Sequence, residues 1–414
     1  MRKIVALVAL VLVMAMPLMA EPEVKVGGLF YIYNFYWTNA DFDSDTKDAD
    51  AHFYMHGDIN ATVNFDEKAS LFVKVGAWGN YGQNPVTGAP GGMEPNVHVL
   101  ETYLTLKDLF NFPISFQIGK QRLLYGNGMV AFDGGEDGTM GAKLMANLGR
   151  ANVDLFTYKL IENGGMNFLG TGIGAPNPDN LLSGIYLTVK PIENIEVNGY
   201  LFAEANRGGD TLNDPRWIGI RSTGNPVSGL DYTVEFTMLS GSYDTIDYKG
   251  QAYEFIAHYA LPMVKVGAGY VYFSGDDPES DEYEGYFSAL PSPFIYDGSY
   301  DGWVGFGPAF MLSTPYGFSY TDIGAVTDLN VINGNVAFNV GDLSLRLDVF
   351  KYATNEAKGY DDSKDLGTEI AVNFSYPLNG VGFGGGLGYW MPGKAFGEDL
   401  DPMIGTILYF AKGF

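Results

Sequence analysis

The sequence contains no cysteine, so neither a disulfide framework nor a thiolate metal site is available to it. Basic residues are scarce: 24 Lys and Arg stand against 49 Asp and Glu in 414 residues, a formal net charge of −25. A surface of that sign repels phosphate, which excludes nucleic acid as a partner. Imidazole is nearly absent too, with only four histidines, His52, His56, His98 and His258. The nucleophile-elbow pattern is missing and no nearby serine completes a triad with His52, His56 and Asp58, so the chain is read as no enzyme. Beyond the first twenty residues no apolar run approaches the roughly 20 residues of a membrane helix.

What is present is β chemistry. Aromatics make up 15% of the chain, 28 Tyr and 28 Phe among them, alongside 55 Gly, a mixture of strand formers and turn formers. Residues 1–20, "MRKIVALVALVLVMAMPLMA", carry Arg2 and Lys3, an apolar run and a small Ala20, the pattern of a secretory signal peptide. From residue 21 onward the dominant period is two. In "HFYMHGDINATVNF" the polar set His52, His56, Asp58, Asn60, Thr62 and Asn64, joined by Tyr54, opposes Phe53, Met55, Ile59, Ala61, Val63 and Phe65.

About eighteen such runs are predicted, at 24–38, 51–66, 69–79, 96–107, 113–122, 138–147, 150–162, 182–190, 194–205, 214–223, 229–240, 248–260, 263–273, 326–340, 342–353, 366–377, 381–391 and 403–414. Their connections alternate. "DEKA", "NLGR", "PIEN", "LPM", "VGD" and "PLNG" are tight turns, while 41–50, 79–95, 123–137, 163–181, 274–325, 354–365 and 392–402 are long. Short turns on one side and long loops on the other are the sidedness of an outer-membrane barrel. A soluble β-sandwich also alternates, but its linkers would not, and its surface aromatics would be few. Here "FYIYNFYW", "YVYF", "LGYW" and "ILYF" place rings at strand ends, where girdles meet the membrane interfaces. The fold class expected is therefore all-β, a transmembrane antiparallel up-and-down barrel of about eighteen strands forming one domain over 21–414. The greasy final strand closes it against the first, covered by lipid, because an unpaired amide in hydrocarbon costs several kcal/mol.

Four stretches resemble the alginate-export family of outer-membrane porins: "FQIGKQRLLYGNG" (116–128), "FSGDDPESDEYEGYFSALPSP" (273–293), "DLGTEIAVNFSYPL" (365–378) and "GGLGYWMPGKAF" (385–396). The resemblance implies an eighteen-stranded monomeric barrel passing a polyanionic uronate polymer through an arginine-lined constriction. General likeness to outer-membrane proteins also implies that Phe414, the terminal aromatic, is read by the barrel assembly machinery.

Alternation assigns the basic residues Lys74, Lys143, Arg216, Lys265 and Arg346 to the lumen, with Glu101, Asp348, Glu369, Asp58, Asp154, Glu196, Glu204, Glu235 and Glu254. Acid outnumbers base, so a mild cation preference is expected, and a uronate would be repelled unless the bases gather at one level. Lys120 and Arg122 share parity with Phe116 and Ile118. A bulge near Gly119 would turn them into the pore; otherwise they snorkel at an interface. "DFDSDTKDAD" imitates a calcium loop, but its sixth position is Thr46 and its twelfth His52, so it is read as a solvated acidic loop, and no metal or other cofactor is expected. The 274–325 segment is long enough to enter the mouth as a lid or constriction.

Taken together these features describe a passive pore for small or oligomeric hydrophilic solutes, oligosaccharides or uronate-like polymers among them, in the bacterial outer membrane, contacting lipid and lipopolysaccharide. The alternative is a structural or adhesive barrel whose acidic loops bridge cations.

Overall fold

The computed structural model describes residues 22–39, 42–45, 49–83, 90–92, 97–132, 138–161, 180–206, 213–289, 307–309, 328–356 and 358–414. The expected leader at 1–20, the side chain of His52, and 290–306 and 310–325 of the long segment lie outside the described residues.

Eighteen strands form the wall. They are β1 (Glu23–Thr38), β2 (Asp50–Asn64), β3 (Ala69–Gln83), β4 (Val97–Leu106), β5 (Ile114–Gln121), β6 (Thr139–Asn147), β7 (Ala151–Ile161), β8 (Asn180–Ile192) and β9 (Ile195–Asn206). They continue as β10 (Arg216–Val227), β11 (Leu230–Ser240), β12 (Gln251–Ala260), β13 (Val264–Phe273), β14 (Leu329–Val340), β15 (Leu343–Ala353), β16 (Asp365–Leu378), β17 (Val381–Pro392) and β18 (Met403–Gly413). Each pairs antiparallel with the next. The ring closes where β18 meets β1 over Leu29↔Gly413 to Thr38↔Ile404. Beyond it, the Phe414 N–H and C=O exchange hydrogen bonds of 3.1 Å with Gly28, so pairing runs to the last residue.

The short turns sit at the end that holds both termini, and their sequences explain them. Between β2 and β3 the Asp66 Oδ1 accepts the N–H groups of Lys68 and Ala69, both at 2.7 Å, an Asx turn that reverses the chain within a few residues. Between β6 and β7 Gly149 takes φ 82° while its N–H is held by Asn147 Oδ1 at 2.9 Å.

Alternation sorts every strand into two faces. On β15, Arg346, Asp348, Phe350 and Tyr352 are buried inside, and Leu347, Val349 and Lys351 are exposed outside. The outer set across the barrel, Val26, Ile59, Met140, Ile218, Ile220, Phe255 and Ile332 among others, is a band that only hydrocarbon can cover.

The inner face is less wet than alternation alone suggests. Near the long-loop end it carries Phe156, Tyr158, Leu182, Phe202, Trp217, Leu239, Val271 and Phe273, all buried. They are covered by Leu123, Tyr125, Met129, Val130 and Ala131 from the connection between β5 and β6. That connection was expected as an outward loop. Instead residues 122–132 turn into the barrel, where the short pairs Leu124↔Phe132 and Tyr125↔Ala131 make a hairpin. The physical reason is composition: a segment with this apolar content buries its side chains against the inner aromatics, with Tyr125 stacked on Phe156 at 4.6 Å.

Candidate functional site

The centre of the lumen is built on one rung of the sheet. Register places Thr188, Asn198, Arg221, Glu235 and Glu254 side by side across β8, β9, β10, β11 and β12, all pointing inward. Arg221 Nη1 donates to Asn198 Oδ1 at 3.1 Å, and its guanidinium lies 3.8 Å from both Glu196 and Glu235.

The tip of the hairpin lands on this rung. Asn127 donates its backbone N–H to Glu235 Oε2 at 2.9 Å and its side-chain amide to Glu254 Oε1 at 2.5 Å. Its Oδ1 accepts from Arg221 Nε at 3.2 Å and Nη2 at 3.0 Å. One asparagine therefore bridges a guanidinium and two carboxylates, which only a group with both donor and acceptor can do. Gly126 precedes it with φ 64°, and a Cβ there would collide with the Glu235 carboxylate, so glycine is required on both counts. Tyr200 OH completes the shell of Glu235, donating to Oε1 at 2.7 Å.

A second inward segment straps the hairpin. Tyr286 OH and Ser288 Oγ both donate to Met129 O, at 2.8 and 2.7 Å, and Ala289 N–H donates to Val130 O at 2.9 Å. Trp217 Nε1 donates to Phe287 O at 2.9 Å, fixing the strap to β10. Residues 285–289 of the long segment thus run inside the rim, while 276–281 carry exposed acidic side chains, and residues 307–309 lie inside against the opposite wall.

Three other wall cations, Lys74, Lys265 and Arg346, are neutralised locally. Lys74 lies 3.5 Å from Asp58 and 3.8 Å from Glu101, and His56 Nε2 lies 2.8 Å from Asp58 Oδ2. Lys265 meets Asp231 at 3.2 Å, and Asp231 also bonds His258 Nδ1 at 3.1 Å. Arg346 grips Asp348 Oδ1 through Nε at 2.9 Å and Nη2 at 2.6 Å. Asn333 and Asn373 complete that carboxylate at 3.2 and 2.9 Å. Lys143 faces inward opposite Phe156, diagonal to Asp154, whose Oδ2 accepts from Tyr125 OH at 3.3 Å. Such pairing is the expected fate of charges in a confined, low-dielectric space.

Lys74, Glu101, Lys143, Lys265, Arg346, Asp348 and Glu369 therefore share the inner face. Two expected lining residues do not. Arg216 belongs to the parity of Ile218 and Ile220, which are exposed on the outer wall, and it pairs with Asp214 at 2.8 Å at the long-loop end. The inward arginine of β10 is Arg221. The sequence carried that signal, because "RWIGIRS" sets Arg216 in step with two isoleucines and Arg221 in step with Trp217. Lys120 is the second correction. It stands opposite Met140, 53% exposed on the outer face, and no register shift occurs at Gly119. The bulge lies on the neighbouring strand, where Val75↔Val99 is followed by Lys74↔Glu101 and Leu100 is the extra residue. Lys120 Nζ donates to the Val99 carbonyl at 2.9 Å, reaching toward the rim as a snorkelling lysine does. Arg122 is exposed just past the end of β5, its backbone N–H 3.3 Å from Glu101 Oε2.

Comparison with known proteins agrees with this architecture. The family model described as "Alginate export" matches residues 94–306, just over half of the chain. No curated protein matches the sequence. Among solved structures, OccK9 (OpdG) of Pseudomonas aeruginosa superposes with a TM-score of 0.60 at 10% identity, covering 95% of this chain and 98% of that one. OccAB4 of Acinetobacter baumannii gives 0.58 at 12%, covering 94% and 98%, and OccK11 (OpdR) of P. aeruginosa 0.56 at 12%, covering 94% and 96%. At such identities the likeness is one of fold, the closed barrel of outer-membrane porins. The family model spans more than half of the sequence and the barrel is of the porin type, so the chain belongs to the alginate export family.

Proposed function

We propose that the protein is a passive outer-membrane pore for small hydrophilic solutes, narrowed where the 122–132 hairpin meets the Arg221–Glu235–Glu254 rung. Lys74, Glu101, Lys143, Lys265 and Arg346 line the path beside it, with Asp348 buried against Arg346. The observation that carries the reading is the inward fold of the hairpin, which leaves a closed barrel with a polar, charge-paired waist. A structural or adhesive barrel has no use for such a waist.

The same geometry argues about the solute. A polyuronate needs a run of uncompensated cations, but Lys74, Arg221, Lys265 and Arg346 each lie within 4 Å of a carboxylate. The path favours neutral or cationic solutes, sugars included, over a polyanion. Export by a cleaved leader at 1–20, assembly through the strand ending at Phe414, contact with lipopolysaccharide and a monomeric state complete the proposal. Planar-bilayer recording tests it. Discrete ohmic steps with a reversal potential on the cation side of a salt gradient are expected. A folded protein that never conducts refutes the pore, and clear anion preference refutes the solute class.

A further inference from the structure

The inner wall opposite the hairpin holds a feature that charge and alternation do not explain. Gly386 and Gly388 on β17 and Gly405 on β18 all face inward; the space beside Gly405 is filled by Pro308 and Ala309, and that beside Gly386 and Gly388 by these two residues together with the wall side chains Asn373 and Glu369. A Cβ on Gly405 would lie 2.5 Å from Ala309 Cα and 2.7 Å from Pro308 O. One on Gly388 would lie 2.7 Å from Ala309 N, and one on Gly386 2.9 Å from Pro308 Cγ. Polar groups complete the fit. Ala309 N–H donates to Glu369 Oε1 at 2.8 Å, and Gly307 N–H to Tyr352 OH at 2.9 Å. Tyr352 OH in turn donates to Glu369 Oε2 at 3.2 Å.

We propose that Glu369, Tyr352 and these glycines form a seat that positions residues 307–309 as a fixed inner lining, making Glu369 a determinant of pore width and not a ligand for solute. The inference rests on the pore reading above. Three observations converge on it. The backbone amides of a loop are expensive to bury unless accepted, and here two of them are accepted by wall groups. Glu369 is fully buried, so a passing solute does not meet it. The closest approaches at Gly405 are to backbone atoms, which cannot rotate away as a flexible side chain would.

Two variants separate the seat from the charge. Glu369→Gln keeps an acceptor for Ala309 N–H and is expected to conduct like the wild type. Glu369→Ala with Tyr352→Phe removes the hydrogen bonds to Gly307 and Ala309, and the unseated fraction should rise about thirty-fold, equal to about 2 kcal/mol. The readout is open-channel current: added flicker and a shifted mean conductance. Gly405→Ala, which leaves every hydrogen-bonding group in place but fills the slot, should give the same signature. Heat-modifiable gel mobility verifies that each barrel is folded. Quiet, unchanged conductance in both the double variant and Gly405→Ala, with barrels folded, overturns the seat. Altered conductance in Glu369→Gln equal to that of the double variant overturns it in favour of a purely electrostatic role. The pore reading is judged separately, by whether the wild type conducts at all.

Discussion

Asn127→Ala is the sharpest perturbation of the waist. It deletes the amide that donates to Glu254 and the carbonyl that accepts two N–H groups of Arg221, while leaving the backbone bond to Glu235. Hydrogen bonds to charged partners are worth about 1.5 to 3 kcal/mol each. The two guanidinium contacts share one acceptor atom and count as one, giving a ceiling of about 3 to 6 kcal/mol for the pair of interactions. Two effects reduce it. Arg221 can turn further onto Glu196 and Glu235, each already 3.8 Å away, and the Met129 and Val130 carbonyls remain strapped by Tyr286, Ser288 and Ala289. A net weakening of about 3 kcal/mol is the expected result, which multiplies the undocked population of the hairpin tip by roughly 150. In single-channel recordings the variant should show larger mean conductance, added sublevels and passage of sugars that the wild type excludes. Asn127→Asp should do the same more strongly, because it adds a third carboxylate beside Glu235 and Glu254. If Asn127→Ala folds, by heat-modifiable mobility, and its conductance, noise and sugar cut-off match the wild type, the hairpin is not what narrows the channel.

Other expectations follow from the same geometry. Arg221→Ala should move the reversal potential further toward cation preference and Arg216→Ala should leave it unchanged, because only the first faces the lumen; equal shifts would contradict the register. Val349→Arg, on the outer face midway along β15, should lower the stability of the barrel in lipid by about 2 to 4 kcal/mol, measured by reversible urea unfolding in vesicles. A substitution there without cost would place Val349 away from hydrocarbon. In the long loops, Lys394 forms an ion pair with Asp361, and its hydrogen bond holds the Asp361 carboxyl below its usual range. A depressed carboxylate stabilises above its unfolded pKa of about 4 and loses that contribution as pH falls through the lower folded value. Protease cleavage within 358–364 and 393–402 should therefore rise at acid pH, whereas in Lys394→Met it should already be high at neutral pH. A pH-independent cleavage pattern in the wild type would show that the pair does not order these loops.

Much of this was legible in the chain as written. Hydrophobic alternation of period two has one stable outcome in a membrane, a closed sheet with one row in lipid, and short and long connections taken in turn give the two sides. Every barrel strand falls where the alternation predicts it, and Arg346, Asp348 and Glu369 face inward because a charge in the middle of such a strand has nowhere else to go. Two residues were assigned to the lumen against simple parity, and both lie outside it. Arg216 is in step with Ile218 and Ile220, and the register against Ala203 and Ser240 agrees with that reading. At Lys120 the extra residue lies one strand away, at Leu100, which no local pattern near Gly119 reveals.

What only the tertiary structure decided is what fills the barrel. Periodicity governs a strand because its two faces meet different solvents; a loop obeys no period, and whether it lies in water or in the lumen depends on partners far along the chain. Asn127 finds Glu254 across 127 positions, Tyr286 finds Met129 across 157, and the slot for Ala309 is shaped by glycines some eighty to a hundred residues later. Those long-range fits turn Glu235, Glu254 and Glu369 from apparent pore charges into anchors for inward segments. The amino-acid order thus dictated the wall and its orientation toward lipid. The width of the opening and the charge left for a solute to meet were set by packing inside it, where a side chain's role follows from its neighbours in space and not from its place in a repeat.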